Sequence, residues 1–383
     1  MDKPTVQDIF HRFYPAYLDQ YSPSPVQAKV AHNIMNCKTG AYGANVCVCE
    51  DCGFVQIHYN SCRNRCCPMC QAVPKEMWMD ARREDVLDAP YFHLVFTVPD
   101  ILNPVIYSNQ RLLYDALYHA ASSTISELTA DPKHLGAKVG YICILHTWGS
   151  EMNFHPHIHT ILLGGGLASN NQWKDNGENF FLPIRVISKM FRGKYLEELK
   201  RLWEEDKLVF QGTAEKFRNH YTFKELLDSC YGMDWIPHCK KTFNCAQTVI
   251  KYLGKYTHRI AVSNHRIVRM DDDTVTFLVK DYRNEGQWKE LTISGVEFVR
   301  RFLMHVPPRR FVRIRHYGLL CSRTKSQKLT LCRNLLGCKK YLSKLRDMEM
   351  PEILEHLYGI KVCVCKACGG HLGKPQMRMP LRC

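Results

Sequence analysis

Phe154-His155-Pro156-His157-Ile158-His159-Thr160-Ile161-Leu162-Leu163 sets three histidines at alternate positions and then runs into an apolar stretch. In an extended strand successive side chains take opposite faces, so His155, His157 and His159 share one face while Ile158 turns into a core. Three imidazoles on one face suggest a metal site. Just upstream, Val139-Gly140-Tyr141-Ile142-Cys143-Ile144-Leu145-His146-Thr147 reads as a second strand. The short connection through Gly149 predicts an antiparallel hairpin, and with its turn near residues 151–152 His146 faces His157.

Further upstream, Tyr91-Phe92-His93-Leu94-Val95-Phe96-Thr97-Val98-Pro99 is a third strand, stopped by proline; residues 104–130 and 186–206 read as helices. Strands are also expected within residues 266–279 and 287–293, with Asp271-Asp272-Asp273 as a hairpin tip. Residues 5–36 carry helical apolar spacing broken at Ser22-Pro23-Ser24-Pro25. The fold class is therefore α+β. Gly164-Gly165-Gly166 lacks the lysine and hydroxyl of a phosphate-binding loop and reads as a strand-ending turn. A metallo-hydrolase of the HxHxDH kind is disfavoured, because residues 160–166 contain no aspartate.

A second motif, Lys251-Tyr252-Leu253-Gly254-Lys255-Tyr256, lies in a helical pattern from Ala246 to Thr257 and sets two tyrosines four apart on one face. Alone, Tyr252 and Tyr256 would be core aromatics. Their neighbours Lys251, Lys255, His258 and Arg259 are basic, which favours phenolate and attracts phosphate. A metal beside them would polarise a scissile phosphate, and a phosphate oxygen in the ligand set would make Mg²⁺ or Mn²⁺ competent. Two tyrosines allow two successive strand transfers.

The 383 residues exceed one ordinary domain, and the pattern divides at residues 1–90, 91–320 and 321–383. Lysine and arginine number 52 against 37 acidic residues, a net charge of +15 that favours a polyanionic partner. Arg300, Arg301, Arg309, Arg310, Arg313 and Arg315, interleaved with aromatics, suggest a phosphate-facing strand. No apolar run is long enough to span a membrane and the start has no signal pattern, so a cytoplasmic protein is expected.

The 19 cysteines concentrate towards the two ends. Cys49-x2-Cys52 and Cys67-x2-Cys70, separated by 14 residues, match the spacing of a four-thiolate zinc site, which is structural because no coordination position stays open. Cys47, His58, Cys62 and Cys66 offer a second site or alternative ligands, and Arg63, Arg65 and Lys75 nearby suggest DNA contact. Cys365-x2-Cys368 is half a site, with Cys363, His371 and Cys383 as candidates to complete it. Cys143, Cys230, Cys239, Cys245, Cys321, Cys332 and Cys338 have no ligand-like spacing.

Together, Ser61-Cys62-Arg63-Asn64-Arg65-Cys66-Cys67-Pro68-Met69-Cys70, Leu145-His146-Thr147-Trp148-Gly149, His155-Pro156-His157-Ile158-His159, the tyrosine segment through Arg259, and Arg313-Ile314-Arg315-His316-Tyr317-Gly318 resemble the two-tyrosine rolling-circle transposases of bacterial insertion sequences, the insertion-sequence-ninety-one type. The resemblance spans residues 10 to 320. It implies an amino-terminal zinc domain, then a His-hydrophobic-His (HUH) endonuclease domain with a central antiparallel sheet and flanking helices. It further implies nicking and rejoining of single-stranded DNA at element ends through 5′-phosphotyrosine links, in a nucleoid-associated bacterial protein.

The resemblance makes His157 and His159 the metal pair and Tyr252 and Tyr256 the nucleophiles. His146 is the favoured third ligand, with His155 and Gln247 as alternatives. Lys251, Lys255, Arg259, Arg313 and Arg315 are the DNA-binding candidates. Cys66 departs from the histidine expected in the family's knuckle; Cys62, Cys66, Cys365 and Cys368 are the additional zinc candidates. A plasmid replication initiator or relaxase using the same chemistry, and a zinc-dependent DNA-binding regulator, are the competing readings.

Overall fold

A computed structural model describes residues 3–176, 182–235, 237–243, 249, 254, 261–281, 284–374 and 376–378. The chain opens with α1 (Val6–Gln20) and α2 (Pro25–Met35), each started by a capping box, Thr5 with Asp8 and Ser24 with Gln27. A hairpin of β1 (Ala44–Val48) and β2 (Val55–Tyr59) follows, then α3 (Ala72–Arg83) and β3 (Tyr91–Thr97). The predicted helix over 104–130 is two, α4 (Asn103–Ser108) and α5 (Gln110–Ala130).

Next come β4 (Lys138–Trp148), β5 (Phe154–Leu167), the short β6 (Trp173–Asp175), α6 (Ile184–Glu204), α7 (His220–Gly232) and β7 (His238–Phe243). A meander of β8 (Ile267–Met270), β9 (Thr274–Asp281) and β10 (Gln287–Ser294) leads to a helix, Gly295–Met304. After β11 (Ile314–Gly318) the helices Lys325–Leu336 and Met350–Tyr358 precede β12 (Gln376–Arg378).

The central sheet is antiparallel, ordered β11-β4-β5-β3-β7, with β6 beside β5. Alternation gives it two apolar faces. Phe92, Leu94, Phe96, Tyr141, Cys143, Leu145, Ile158 and Leu162 pack against α5, α6 and α7. Tyr91, Ile142, Ile144, Ile161 and Leu163 pack against Met79 of α3, Val249, and Leu329 and Cys332 of the helix Lys325–Leu336. A second core joins α1 and α2 to β8–β10 and the helix Gly295–Met304, with Phe277 and Phe298 edge to face at 5.6 Å. The packing thus crosses the boundaries drawn at residues 90 and 320.

Three sequence readings need correction. Gly164-Gly165-Gly166 is not a turn but the continuation of β5. A Cβ there would lie 2.9 Å from Phe92 and the Pro90 carbonyl, 2.4 Å from Trp173, or 2.4 Å from the Lys138 carbonyl, so close strand and side-chain approach requires glycine. The arginine run is not one phosphate-facing strand: Arg300 and Arg301 lie on a helix and both bind Glu297, while Arg309 and Arg310 are exposed in a connection. Asp271-Asp272-Asp273 is a hairpin tip as expected, where the Asp271 carboxylate accepts the amides of Asp273 and Thr274.

The cysteines also group differently from the sequence expectation. Cys49 and Cys52 do not share a cluster with Cys67 and Cys70. The β1–β2 hairpin carries the first pair away from the second, and β12 pairs with β1, bringing the carboxy-terminal cysteines to it.

Candidate metal centre and cysteine clusters

The register of β4 on β5 sets His146 opposite His157 and Ile144 opposite His159. Between His146/His157 and Trp148/Phe154 the register slips, giving β5 one extra residue within His155-Pro156, where the proline has no amide to lose from the ladder. The His155 ring stays 5.2 Å from that of His157 but is outside the group of converging ring nitrogens. His155 turns towards Asp100, its Nδ1 3.2 Å from the carboxylate. The turn itself is tight: the Gly149 amide donates to the Asn153 carbonyl at 3.1 Å, and Met152 reaches into the second core.

His146, His157 and His159 bring one ring nitrogen each to within 4.8 Å of one another. The Nε2 atoms of His157 and His159 are 3.1 Å apart. Nitrogens ~2.0–2.1 Å from one ion would be roughly 2.9–3.4 Å apart, depending on the coordination angle, so the pair fits a shared metal. His157 Nδ1 is 2.7 Å from the His155 carbonyl; the N–H must donate there, leaving Nε2 free to ligate. His159 Nδ1 is 2.9 Å from Nε2 of buried His93, an orienting partner that sequence reading missed. Only the pairing of β3 with β5 reveals it.

Burial lowers the pKa of His157 to about 4 and holds that of His159 well below the ordinary imidazole value, so both rings are neutral near pH 7, as ligands must be. His146 stacks on Trp148 at 4.4 Å, and the Arg313 guanidinium lies 5.4 Å from the Trp148 ring centroid. Arg315 binds Asp115 and covers Tyr118 at 4.0 Å. Both arginines therefore already hold internal contacts.

Lys251, Tyr252, Lys255, Tyr256, Arg259 and Gln247 lie outside the described residues. Val249 and Gly254 of the same segment are helical. Val249 is buried with Met79, Ile142, Ile144 and Ile161, on the sheet face that carries His146, His157 and His159. A Cβ on Gly254 would lie 1.9 Å from Met79 Sδ, so Gly254 itself presses against α3.

Among the described residues, which leave out Cys245 and Cys383, cysteines gather in two groups. Cys37, at the end of α2, joins Cys62, Cys67 and Cys70, with the sulfurs of Cys62 and Cys70 3.8 Å apart. Sulfurs bound to one zinc at ~2.3 Å sit about 3.8 Å apart, so the group fits the ion. Cys37 was missed because it has no close cysteine partner in sequence. Cys66 stays outside both groups; burial pushes its thiol up to about 11. Cys49 and Cys52 meet Cys365 and Cys368 in the second group.

Comparison with known proteins gives this arrangement its class. Residues 140–328 match the family described as "Putative transposase", and residues 9–98 match the "Transposase zinc-binding domain". The chain is 40% identical over 369 residues, 95% of its own length and 93% of the relative's, to "Putative transposase y4qJ" of Sinorhizobium fredii (strain NBRC 101917 / NGR234). It is 27% identical to the transposase for insertion sequence element IS801 of Pseudomonas savastanoi pv. phaseolicola, over 79% of this chain and 72% of that one. Among solved structures, the conjugative relaxase TrwC in complex with oriT DNA, metal-free, is similar at 17% identity over 29% of this chain and 44% of that one, with a TM-score of 0.22.

The two family matches and the cysteine groups define a DNA-acting transposase with structural zinc. The chain belongs to the insertion-sequence-ninety-one type of transposases, with an amino-terminal zinc-binding domain. No described helix is long and apolar enough to cross a membrane.

Proposed function

We propose that this transposase nicks and rejoins single-stranded DNA at element ends by HUH chemistry, with His146, His157 and His159 holding a divalent metal and Tyr252 and Tyr256 as nucleophiles. The observation that carries the proposal is the shared sheet face: the three converging imidazoles and Val249, in the tyrosine-bearing segment, belong to the same side of the central sheet. A bound Mg²⁺ or Mn²⁺ would polarise the scissile phosphate and stabilise the charge that develops on it.

The chain's own groups perform the rest. A tyrosine phenolate oxygen attacks phosphorus, forming the Tyr–O–P bond as the P–O3′ bond breaks. The departing 3′ oxygen takes a proton, and the 5′ end stays on the protein. Reversal by the 3′-OH of another strand rejoins the DNA, and the second tyrosine permits a second transfer before the first link is released. Lys251, Lys255 and Arg259 draw the phosphate and favour phenolate. His155 and His93 act on the ligands rather than the substrate, the one through its carbonyl on His157, the other through its ring on His159. The thiolates of Cys37, Cys62, Cys67 and Cys70 hold the zinc of the amino-terminal domain.

Incubation with a labelled single-stranded end oligonucleotide tests this. A Mn²⁺- or Mg²⁺-dependent covalent adduct is expected, lost in Tyr252→Phe plus Tyr256→Phe. No adduct with either metal, or an adduct that survives the double substitution, overturns the reading.

A further inference from the structure

We propose that the second cysteine group is a zinc site that closes the two ends of the chain into one module, with Cys49 and Cys52 from the amino-terminal hairpin and Cys365 and Cys368 from the tail as its ligands. Neither matched family region extends to the tail cysteines. Cys52 and Cys365 stand 313 positions apart in sequence, yet their sulfurs are 3.8 Å apart, and those of Cys49 and Cys368 are 3.5 Å apart. These match the edges of a zinc tetrathiolate, about 3.8 Å, and are far from the ~2.05 Å of a disulfide.

The backbone supplies independent support, because the two CxxC turns are copies of each other. The Gly53 amide donates to the Cys49 carbonyl and the Gly369 amide to the Cys365 carbonyl, both at 3.0 Å. The Cys49 amide donates to the Phe54 carbonyl at 2.9 Å and the Cys365 amide to the Gly370 carbonyl at 2.8 Å. Gly53 and Gly369 follow their cysteine pairs with φ of +72° and +79°, a left-handed conformation that favours glycine. In the tail turn, the amides of Ala367 and Gly370 donate to the sulfurs of Cys365 and Cys368 at 3.4 Å each, which favours thiolate. Twin turns present their sulfur pairs to one point, and the four thiols release their protons to hold the ion there.

The consequence is mechanical. Bridges Cys49↔Leu372 and Val364↔His371 and the β1–β12 ladder lie around this cluster. Upstream in the tail, Tyr341 and Ser343 donate their hydroxyls to Asp80 of α3 at 2.6 Å each, and the Leu345 amide donates to the same carboxylate at 2.9 Å. The zinc clamp therefore anchors the far end of a tail that also braces α3.

The test uses the full chain purified under reducing conditions, with metal analysis and limited trypsin digestion. The native protein is expected to hold one zinc in each cysteine group, and Cys365→Ser plus Cys368→Ser to lose one equivalent while its tail becomes cleavable beyond residue 359. Cobalt loading of the native protein provides a readout that needs no variant: thiolate-to-cobalt absorption should correspond to two tetrathiolate sites. A native content of one zinc, both zincs retained in the double variant, absorption for one site only, or a mapped Cys49–Cys368 or Cys52–Cys365 disulfide overturns the proposal.

Discussion

Replacing His93 with leucine should weaken the proposed metal centre without touching one of its ligands. His93 and His159 are nearly buried, 5% and 9% exposed, and their rings share a 2.9 Å hydrogen bond. Removing one partner of such a bond leaves a desolvated ring nitrogen and costs about 1–3 kcal/mol. The substitution also frees His159 to tilt away from His157 Nε2, 3.1 Å distant. Loss of an orienting partner of this kind typically costs ~10–100-fold in metal affinity, or about 1.4–2.7 kcal/mol, in the same range as the lost hydrogen bond. The assay is oligonucleotide nicking titrated with Mn²⁺. Half-saturation should rise by that factor in His93→Leu while the rate at saturating metal largely recovers, and His93→Asn should fall between the two. An unchanged Mn²⁺ half-saturation in a folded His93→Leu protein, alongside a dead His157→Ala control, would refute the idea that His93 positions His159.

Further outcomes follow from the packing and the buried groups. His305, held between the Thr147 hydroxyl and the Met152 carbonyl, has its pKa lowered by burial to about 4 from an unfolded value near 6.5, so the unfolded state binds more protons in that window. Its contribution to stability is complete above pH 6.5 and is lost as pH falls towards 4, at most about 3 kcal/mol; urea midpoints should fall less steeply with acid in His305→Gln. Cys37→Ser should remove one zinc as fully as Cys67→Ser does, while Cys66→Ser leaves the zinc count unchanged, by metal analysis. Gly254→Ala should destabilise by about 1–3 kcal/mol through collision with Met79, and Met79→Ala in the same chain should recover part of that loss, measured as a double-mutant cycle in urea.

The histidine strand was legible because both of its determinants are local: alternation fixes the face, and the short connection through Gly149 fixes the hairpin that faces His146 with His157. The equivalence of His155 was misleading for an equally local reason, since the register slip at His155-Pro156 interrupts the alternation and His155 Nδ1 faces Asp100. His93 was not legible, because an isolated histidine in an apolar strand has no meaning until β3 is paired with β5. The same holds for the cysteines. A CxxC turn announces half a site, but which half it meets depends on long-range strand pairing, here β1 with β12. The arginine-rich stretch advertised charge, yet Glu297 and Asp115 determine how Arg300, Arg301 and Arg315 are held in the folded protein.

These long-range pairings converge on α3, which gives the zinc-binding elements a physical relation to the proposed nuclease. The helix begins at Ala72, directly after Cys70 and its neighbour Gln71, so the first cysteine group fixes where it starts. Its Asp80 takes the tail's hydroxyls, and its Met79 lies against Gly254 in the tyrosine-bearing segment. Glu84, just beyond its end, accepts the Ser343 amide and binds Arg346. A disturbance at either cysteine group therefore has a continuous packed route to the sheet face on which the histidines converge. If that route carries the coupling, Asp80→Ala, which removes the hydrogen bonds of Tyr341, Ser343 and Leu345 to α3 and touches no proposed metal ligand, should lower single-strand nicking at saturating Mn²⁺ while zinc content stays at the native value. Nicking at the native rate in a folded Asp80→Ala protein with its tail made protease-sensitive would show that α3 holds its place without the tail.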